Sequence, residues 1–85
     1  MTLTYTHEFA RRRKRRVEVG KRLRTARKAK GLTQIALAKR MNISAATVGT
    51  VEMGMVKLEH ILDTHVKMFC QALEIEVAQI MTNLP

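Results

Sequence analysis

The segment from residue 33 to residue 52 constrains the fold more than any other part of this sequence, because cap residues divide it into two short helices. Thr33 and Ser44 each carry a hydroxyl that can accept a hydrogen bond from a backbone N–H in the first turn of the helix that follows. Asn42 lies between the two helices, and asparagine is one of the few residues besides glycine that tolerates a positive φ angle. The sequence therefore predicts two short helices joined by a tight turn of about three residues.

Apolar residues at helical spacing predict three further helices and no strands. The first covers residues 17–31 and ends at a glycine, the fourth covers residues 58–73, and the fifth covers residues 77–81. The positions expected to face the core are Val19, Leu23, Ala26, Ala29, Ile35, Leu37, Ala38, Met41, Thr47, Val48, Val51, Leu58, Ile61, Leu62, His65, Phe69 and Leu73. The predicted fold class is all-α, with five helices in one domain of 85 residues.

Positive charge is concentrated in the first third of the chain. Residues 1–30 contain twelve of the sixteen Lys and Arg residues but only two of the seven Asp and Glu residues, and the whole chain has a net charge of +9. A basic block on an otherwise balanced domain favours a polyanionic partner, either nucleic acid or an acidic membrane surface. The alternative is a solvated tail that only improves solubility.

Six consecutive cations, RRRKRR at residues 11–16, form the centre of this block. Like charges one helical turn apart repel each other, so we expect the run to be disordered until it meets an anion. The chain accordingly divides into a basic N-terminal arm or helix extension at residues 1–16 and a helical domain at residues 17–82.

Two short helices separated by a tight turn form a helix-turn-helix unit, and the residues around it resemble one family of such units. The residues GLTQ at 31–34, Leu37 and Ala38, Ile43 and Ser44, and TV..VE.G at 47–54 are similar to those of the lambda-repressor-like family, also called the Cro/repressor or xenobiotic-response-element type. The likeness is good over residues 19–54 and looser up to residue 81. It implies the family's five-helix domain and binding to double-stranded DNA.

The resemblance assigns roles outside the third helix. Thr33 and Gln34 open the second helix, where the family engages a DNA phosphate with the glutamine side chain and its backbone N–H, and the positive end of a helix favours such an anion. Arg27 and Glu52 match a family pair that forms a mostly buried salt bridge. Lys57 is the only cation of the connector after the third helix, where the family touches the DNA backbone.

The third helix is the recognition helix of the family, and its side chains are small in this sequence. The base-reading positions map onto Ala45, Ala46, Thr47 and Thr50, which follow the cap residue Ser44. Alanine and the threonine methyl can contact a thymine methyl, but none of these residues can make a two-point contact with guanine or adenine. We therefore expect weak, thymine-biased base readout, with further specificity from DNA shape, the basic arm or dimer spacing.

The basic run is the natural supplement to this weak readout. Some family members wrap an N-terminal arm around the duplex, and arginine-rich arms enter narrow A·T-rich minor grooves. We expect the arm to contact DNA, and the alternative is a helix extension directed away from it. The cations of the run are Arg11, Arg12, Arg13, Lys14, Arg15 and Arg16.

One recognition helix covers only part of an operator, so we expect a homodimer on a palindromic site. The end of the fourth helix and the fifth helix are expected to form the dimer interface, because an apolar helix at a chain end would otherwise expose a patch. The interface is expected to use some of Phe69, Leu73, Ile75, Val77, Ile80 and Met81.

Other functional classes find little support in the sequence. His60, His65 and Cys70 follow one another at intervals of five, which places them about 140° apart on a helix, so they do not converge on a metal. No phosphate loop, nucleophile–base pair or acid dyad indicates an enzyme or a cofactor. The apolar runs are too short for a transmembrane helix, no secretory signal follows the basic run, and the single cysteine fits a reducing cytoplasm.

These observations favour a cytoplasmic transcriptional regulator, bacterial or phage-encoded and acting as a repressor. Family members of this size often control phage, plasmid, mobile-element or restriction–modification genes, including their own. The rival interpretation is an antitoxin-like protein whose main role is to bind a partner protein, with VEMGMV at residues 51–56 as the candidate patch. A third interpretation is a basic peptide of the membrane surface.

Overall fold

Five α-helices build the protein, and no strand occurs among residues 2–85. The computed structural model describes the backbone of residues 2–85 and the side chains of residues 7–85. The helices are α1 Thr2–Ala29, α2 Gln34–Met41, α3 Ala45–Glu52, α4 Glu59–Leu73 and α5 Val77–Met81. The predicted all-α fold class is confirmed. None of these helices is both long enough and apolar enough to cross a membrane.

The cap residues make the local bonds that the sequence predicts. Thr33 Oγ1 accepts a hydrogen bond from the Ala36 N–H at 3.0 Å, and Ser44 Oγ accepts one from the Thr47 N–H at 3.1 Å. Asn42 ends α2 in the left-handed conformation with φ 56°, and its N–H donates to carbonyl groups of the last turn. Local chemistry at these positions therefore sets where α2 ends and where α3 begins.

Aliphatic side chains from all five helices form the core. α2 and α3 pack against each other, α1 packs against α3 and α4, and α5 packs against α1 and α4. The buried apolar residues are Val19, Leu23, Ala26, Leu37, Ala38, Met41, Val48, Val51, Leu62, Val66, Phe69, Cys70, Leu73 and Ile80. Because Val48 and Val51 anchor one side of α3 in this core, the opposite side of α3 is left at the surface.

The buried face of α4 differs from the predicted one. Leu58 and Ile61 were expected in the core but remain 57% and 36% exposed. Leu58 has extended backbone and stands before the first turn of α4 as its N-cap, so it cannot belong to the inward face of that helix. The side chains that do face inward are Leu62, Val66, Phe69, Cys70 and Leu73. The expected face therefore started one turn too early.

Four other residues expected in the core lie outside it. Ile35 stands in the first turn of α2 and is 62% exposed, because the inward face of that helix is formed by residues 37, 38 and 41. Ala29 is exposed, and Thr47 is half-buried. His65 is also half-buried, with Nδ1 at 2.9 Å from the Ile61 carbonyl oxygen of its own helix.

The basic run is helical in this structure, so the expectation that it is disordered is wrong. α1 continues through residues 11–16 and reaches Thr2. Acidic residues offset the repulsion between the cations: Glu8 lies 2.5 Å from Arg11 and 3.1 Å from Arg12 on the same helix. From α4, Glu59 lies 4.0 Å from Arg12 and 3.8 Å from Arg15. Residues 2–16, the part of this segment that the structure describes, therefore extend α1 as a helix.

Two contacts attach this extension to the connector between α3 and α4. Arg16 Nε donates a hydrogen bond to the Gly54 carbonyl oxygen at 2.8 Å. Gly54 has φ +71°, and a Cβ at this position would lie 2.7 Å from the Cα of Val17. Only glycine fits both the left-handed backbone and the close approach to α1.

The C-terminal residues are attached to α1 by Arg22. Its Nη1 donates hydrogen bonds to the carbonyl oxygens of Ile80, at 2.8 Å, and of Thr82. Its Nη2 donates to the Asn83 carbonyl oxygen at 3.1 Å. One guanidinium group therefore satisfies carbonyl groups at the end of α5 that have no partner within that short helix.

Alanine substitutions at Gly20 and Gly49 test how closely α1 must pack on α3. A Cβ at Gly20 would lie 2.4 Å from the Glu52 carbonyl oxygen, whereas a Cβ at Gly49 would lie 3.7 Å from Gln34 Oε1. We expect Gly20→Ala to lower the free energy of unfolding by about 1–3 kcal/mol, because the two helices must separate. Gly49→Ala should leave it unchanged or raise it by up to about 1 kcal/mol, because alanine favours a helix. Denaturant unfolding measures both variants, and equal stability would show that the α1–α3 contact can widen without cost.

Candidate nucleic-acid interface

A buried ion pair joins α1 to α3 behind the surface of the helix-turn-helix. Arg27 Nε donates to Glu52 Oε2 at 2.6 Å, and Arg27 Nη2 donates to Glu52 Oε1 at 3.0 Å. Each of the two residues is only 6% exposed. The structure thus brings together the two residues that the family resemblance pairs.

The same ion pair extends to the start of α2. Arg27 Nη1 donates to the Leu32 carbonyl oxygen at 2.7 Å, and Gln34 Nε2 donates to Glu52 Oε1 at 3.1 Å. The hydrogen bond with Glu52 raises the pKa of Arg27 although burial opposes it, so the guanidinium group stays charged. The network therefore fixes α1, the first turn of α2 and the last turn of α3 relative to one another.

Gln34 is the first residue of α2 and contacts Glu52, the last residue of α3. One N–H of its side-chain amide is used by Glu52, and an amide NH₂ group has two. The side chain also lies beside α3, since its Oε1 would be 3.7 Å from a Cβ on Gly49. Gln34 is thus held in place from inside the protein, with one side-chain donor left for a partner at the N-terminus of α2.

The outer side of α3 presents methyl groups. Ala46 is exposed, while Ala45, Thr47 and Thr50 are half-buried. The Thr50 hydroxyl donates to the Ala46 carbonyl oxygen at 2.9 Å. The Thr47 hydroxyl lies 2.8 Å from the hydroxyl of Ser44. Because both threonine hydroxyls are engaged within the helix or at its cap, the groups left to face a partner are chiefly methyls.

The connector after α3 adds two exposed methionines and one cation. Met53 and Met55 are 63% and 59% exposed, and Lys57 is also exposed. Met53 is the C-cap residue of α3 and follows Ala46 and Thr50 at helical spacing, and it was not among the residues expected to contact DNA. The spacing of residues 46, 50 and 53 (i, i+4 and i+7) is the sequence signal that would have indicated Met53.

The residues expected at the dimer interface are divided between core and surface. Phe69, Leu73 and Ile80 are at most 1% exposed, so among the six residues of which some were expected at the interface these three are buried within the protomer. They lie on the sides of α4 and α5 that pack on the rest of the protomer. Val77 is 38% exposed, and Ile75 and Met81 are half-buried, which leaves these three at the surface.

Among residues 7–85, no three His, Cys, Asp or Glu side chains are grouped as metal ligands would be. Cys70 is 2% exposed in the core, and burial together with the charge of Glu76 raises the pKa of its thiol. Cys70 therefore packs as a small apolar residue.

Comparison with known proteins agrees with this geometry. A helix-turn-helix domain family matches residues 18–59, a span that begins after the basic run. The crystal structure of the restriction-modification controller protein C.AhdI from Aeromonas hydrophila is similar to this chain, with 34% sequence identity and a TM-score of 0.64. The similarity covers 75% of this chain and 92% of that chain. No curated protein matches the chain significantly.

Removing one partner of the buried ion pair should be severe. We expect Arg27→Ala to lower the free energy of unfolding by about 3–5 kcal/mol, because the Glu52 carboxylate would stay buried without its counter-charge. The double variant Arg27→Met with Glu52→Leu should be less destabilised, since it leaves no unpaired charge. Arg24→Ala, an exposed arginine on the same helix, is the matched control and should change stability by less than about 0.5 kcal/mol. Thermal melts that are the same for Arg27→Ala and Arg24→Ala would contradict this role of the pair.

Proposed function

This chain belongs to the lambda-repressor-like family of helix-turn-helix proteins, and from that membership we propose that it is a homodimeric repressor of a palindromic operator. The family and the solved relative make it a DNA-binding transcriptional regulator. Similarity to a restriction-modification controller supports a gene-control role of that type. In this proposal the chain also acts on its own promoter. The observation that carries the proposal is the network of Arg27, Glu52 and Gln34, which holds α2 and α3 in one arrangement with the outer side of α3 free.

In this proposal α3 lies in the major groove with its N-terminal residues toward the bases. Thr33 caps α2, and the backbone N–H of Gln34 with its remaining side-chain N–H meets a phosphate at the positive end of that helix. Lys57, in the connector, meets a second phosphate. These contacts would set the depth and the register of α3 without reading any base.

Base contacts then come from the methyl side of α3. Ala45, Ala46 and the methyl groups of Thr47 and Thr50 suit the C5-methyl group of thymine. The Thr50 hydroxyl already donates to the Ala46 carbonyl oxygen, which weighs against its use as a donor to a base edge. The operator we propose is therefore rich in thymine at the positions that face α3.

A second candidate function rests on the exposed methionines of the connector. Met53 and Met55 are flexible apolar side chains that could bind a partner protein, as an antitoxin binds its toxin. This function competes with DNA binding only if the partner covers the end of α3. Co-purification of a second small protein that is lost in Met55→Lys would favour it.

The dimeric operator complex can be tested with the full chain and the DNA upstream of its gene. Footprinting should show two protected half-sites about 10 base pairs apart, or a multiple of that spacing, because the two recognition helices enter successive major grooves on one side of the duplex. Sedimentation at tens of micromolar should show a dimer. Val77→Glu should shift it to a monomer that keeps the helical circular dichroism spectrum of the unchanged chain, since Val77 is at the surface. A strict monomer with and without DNA would refute the homodimer.

Two substitutions of Thr50 can separate methyl contact from hydrogen bonding. Thr50→Val keeps a methyl and removes the hydroxyl, so discrimination between operator and scrambled DNA should be retained. Thr50→Ser removes the methyl, so preference at one or two base pairs should fall by about 1–3 kcal/mol at most. Neither change should alter the dependence of affinity on salt, because no phosphate contact is lost. Full discrimination by the serine variant with loss in the valine variant would show that the hydroxyl reads the base.

A further inference from the structure

We infer that the helix extension binds the phosphate backbone of DNA as a rigid helix, through cations on one side only. The cations are Arg12, Arg13 and Arg16 of α1 together with Lys57 of the connector, and we call them the basic ridge. The inference rests on the proposed function, since it assumes that the chain binds double-stranded DNA. It differs from the minor-groove arm that the sequence favours.

Contacts within the protein hold the ridge in a fixed place. The hydrogen bond from Arg16 to the Gly54 carbonyl oxygen is 2.8 Å long, and that bond uses only Nε of the guanidinium group. The approach of Arg12 and Arg15 to Glu59 ties the next turns of the extension to α4. The extension is therefore a continuation of the folded domain rather than a tether.

A groove of about 340 Å³ marks the side of the helix that carries the ridge. It is lined by Glu8, Phe9, Arg12, Arg16 and Lys57. The single carboxylate in it is already engaged by Arg11 and Arg12, at 2.5 Å and 3.1 Å. Three cations and one carboxylate leave the lining with a net positive charge, which favours a phosphodiester.

Helical spacing decides which of the remaining cations joins the ridge. Arg13 is exposed and precedes Arg16 by three residues, which places it on the same side of α1 as Arg16. Lys14 is exposed as well, but it precedes Arg16 by only two residues and so points to the other side. Arg13 and Lys14 therefore point in different directions, although both are exposed and positively charged.

The ridge starts where the recognition helix ends. Gly54 and Lys57 belong to the connector that immediately follows α3, so Arg16 stands beside the C-terminal end of that helix. A helix lying in the major groove with its N-terminus toward the bases leaves the groove at the sugar-phosphate backbone. From Arg16 to Glu8 the extension continues for about 12 Å along its axis. It can thus follow the backbone from the point where α3 leaves it.

The width of a helix excludes the minor groove. An α-helix with side chains is about 10–12 Å across, whereas the minor groove of B-DNA is about 6 Å wide. An extension that stays helical therefore cannot itself enter that groove, and we infer that its arginine side chains contact phosphates from outside. Its contribution should be the same for every DNA sequence and should depend strongly on salt.

The test compares Arg13→Ala with its matched control Lys14→Ala in the full chain. Affinity for operator and for scrambled duplex is measured across a salt series, and hydroxyl-radical footprinting maps the protected backbone. Arg13→Ala should weaken binding to both duplexes about five-fold near physiological salt and reduce the slope of log affinity against log salt by about 0.9. It should also lose protection at backbone positions beside the α3 contacts. Lys14→Ala should change neither the slope nor the footprint.

Three outcomes would overturn the inference. Equal losses in both variants would indicate a diffuse positive field, and no loss in either would make the extension a bystander. Adenine N3 atoms that the unchanged chain protects from dimethyl sulfate, and that Arg13→Ala leaves unprotected, would place the arginine in the minor groove. In all three cases operator binding by the unchanged chain would leave the proposed function intact. Failure of the unchanged chain to prefer any duplex would refute the proposed function instead.

Discussion

The buried ion pair between Arg27 and Glu52 is the interaction on which the rest of the structure depends. Both charges are removed from water, so they stabilise the fold only when every donor and acceptor around them is satisfied. Leu32 and Gln34 complete that set, and they do so from the loop before α2 and from its first turn. One charged pair therefore determines how α1, α2 and α3 meet. The close approach of α1 to the end of α3 at Gly20 follows from the same arrangement.

Local chemistry made the central part of the fold predictable from sequence. Thr33, Asn42 and Ser44 act on backbone groups a few residues away, so their effects can be predicted without knowledge of the tertiary structure. The inward face of α4 was not predictable in this way. Its apolar residues are spread over more than one side of the helix, so their spacing fits two overlapping faces equally well. The helical state of the basic run was only an alternative in the sequence, because one of its counter-charges, Glu59, comes from a helix far along the chain.

Side-chain hydrogen bonds and burial at the candidate site were also not predictable from the sequence. The family pattern predicts which positions of α3 would face DNA, but not that the Thr47 and Thr50 hydroxyls bond within their own segment. The pattern also could not divide the apolar residues near the C-terminus between core and surface, since Phe69 and Val77 are equally apolar. Resemblance supplies the location of a site, whereas the chemistry available there depends on packing and on hydrogen bonds that only the structure reveals.

The small outward residues of α3 have an evolutionary consequence. Residues 46 and 50 contribute little to the core, which α3 joins through Val48 and Val51 on its opposite side. A duplicated copy of this gene could therefore exchange them for longer polar residues and acquire a new operator while keeping the same fold. Phosphate contacts do not depend on base sequence. Variants with only some of these substitutions would therefore still bind DNA while their base preference changed. Diversification into regulators with separate targets would then need only a few substitutions.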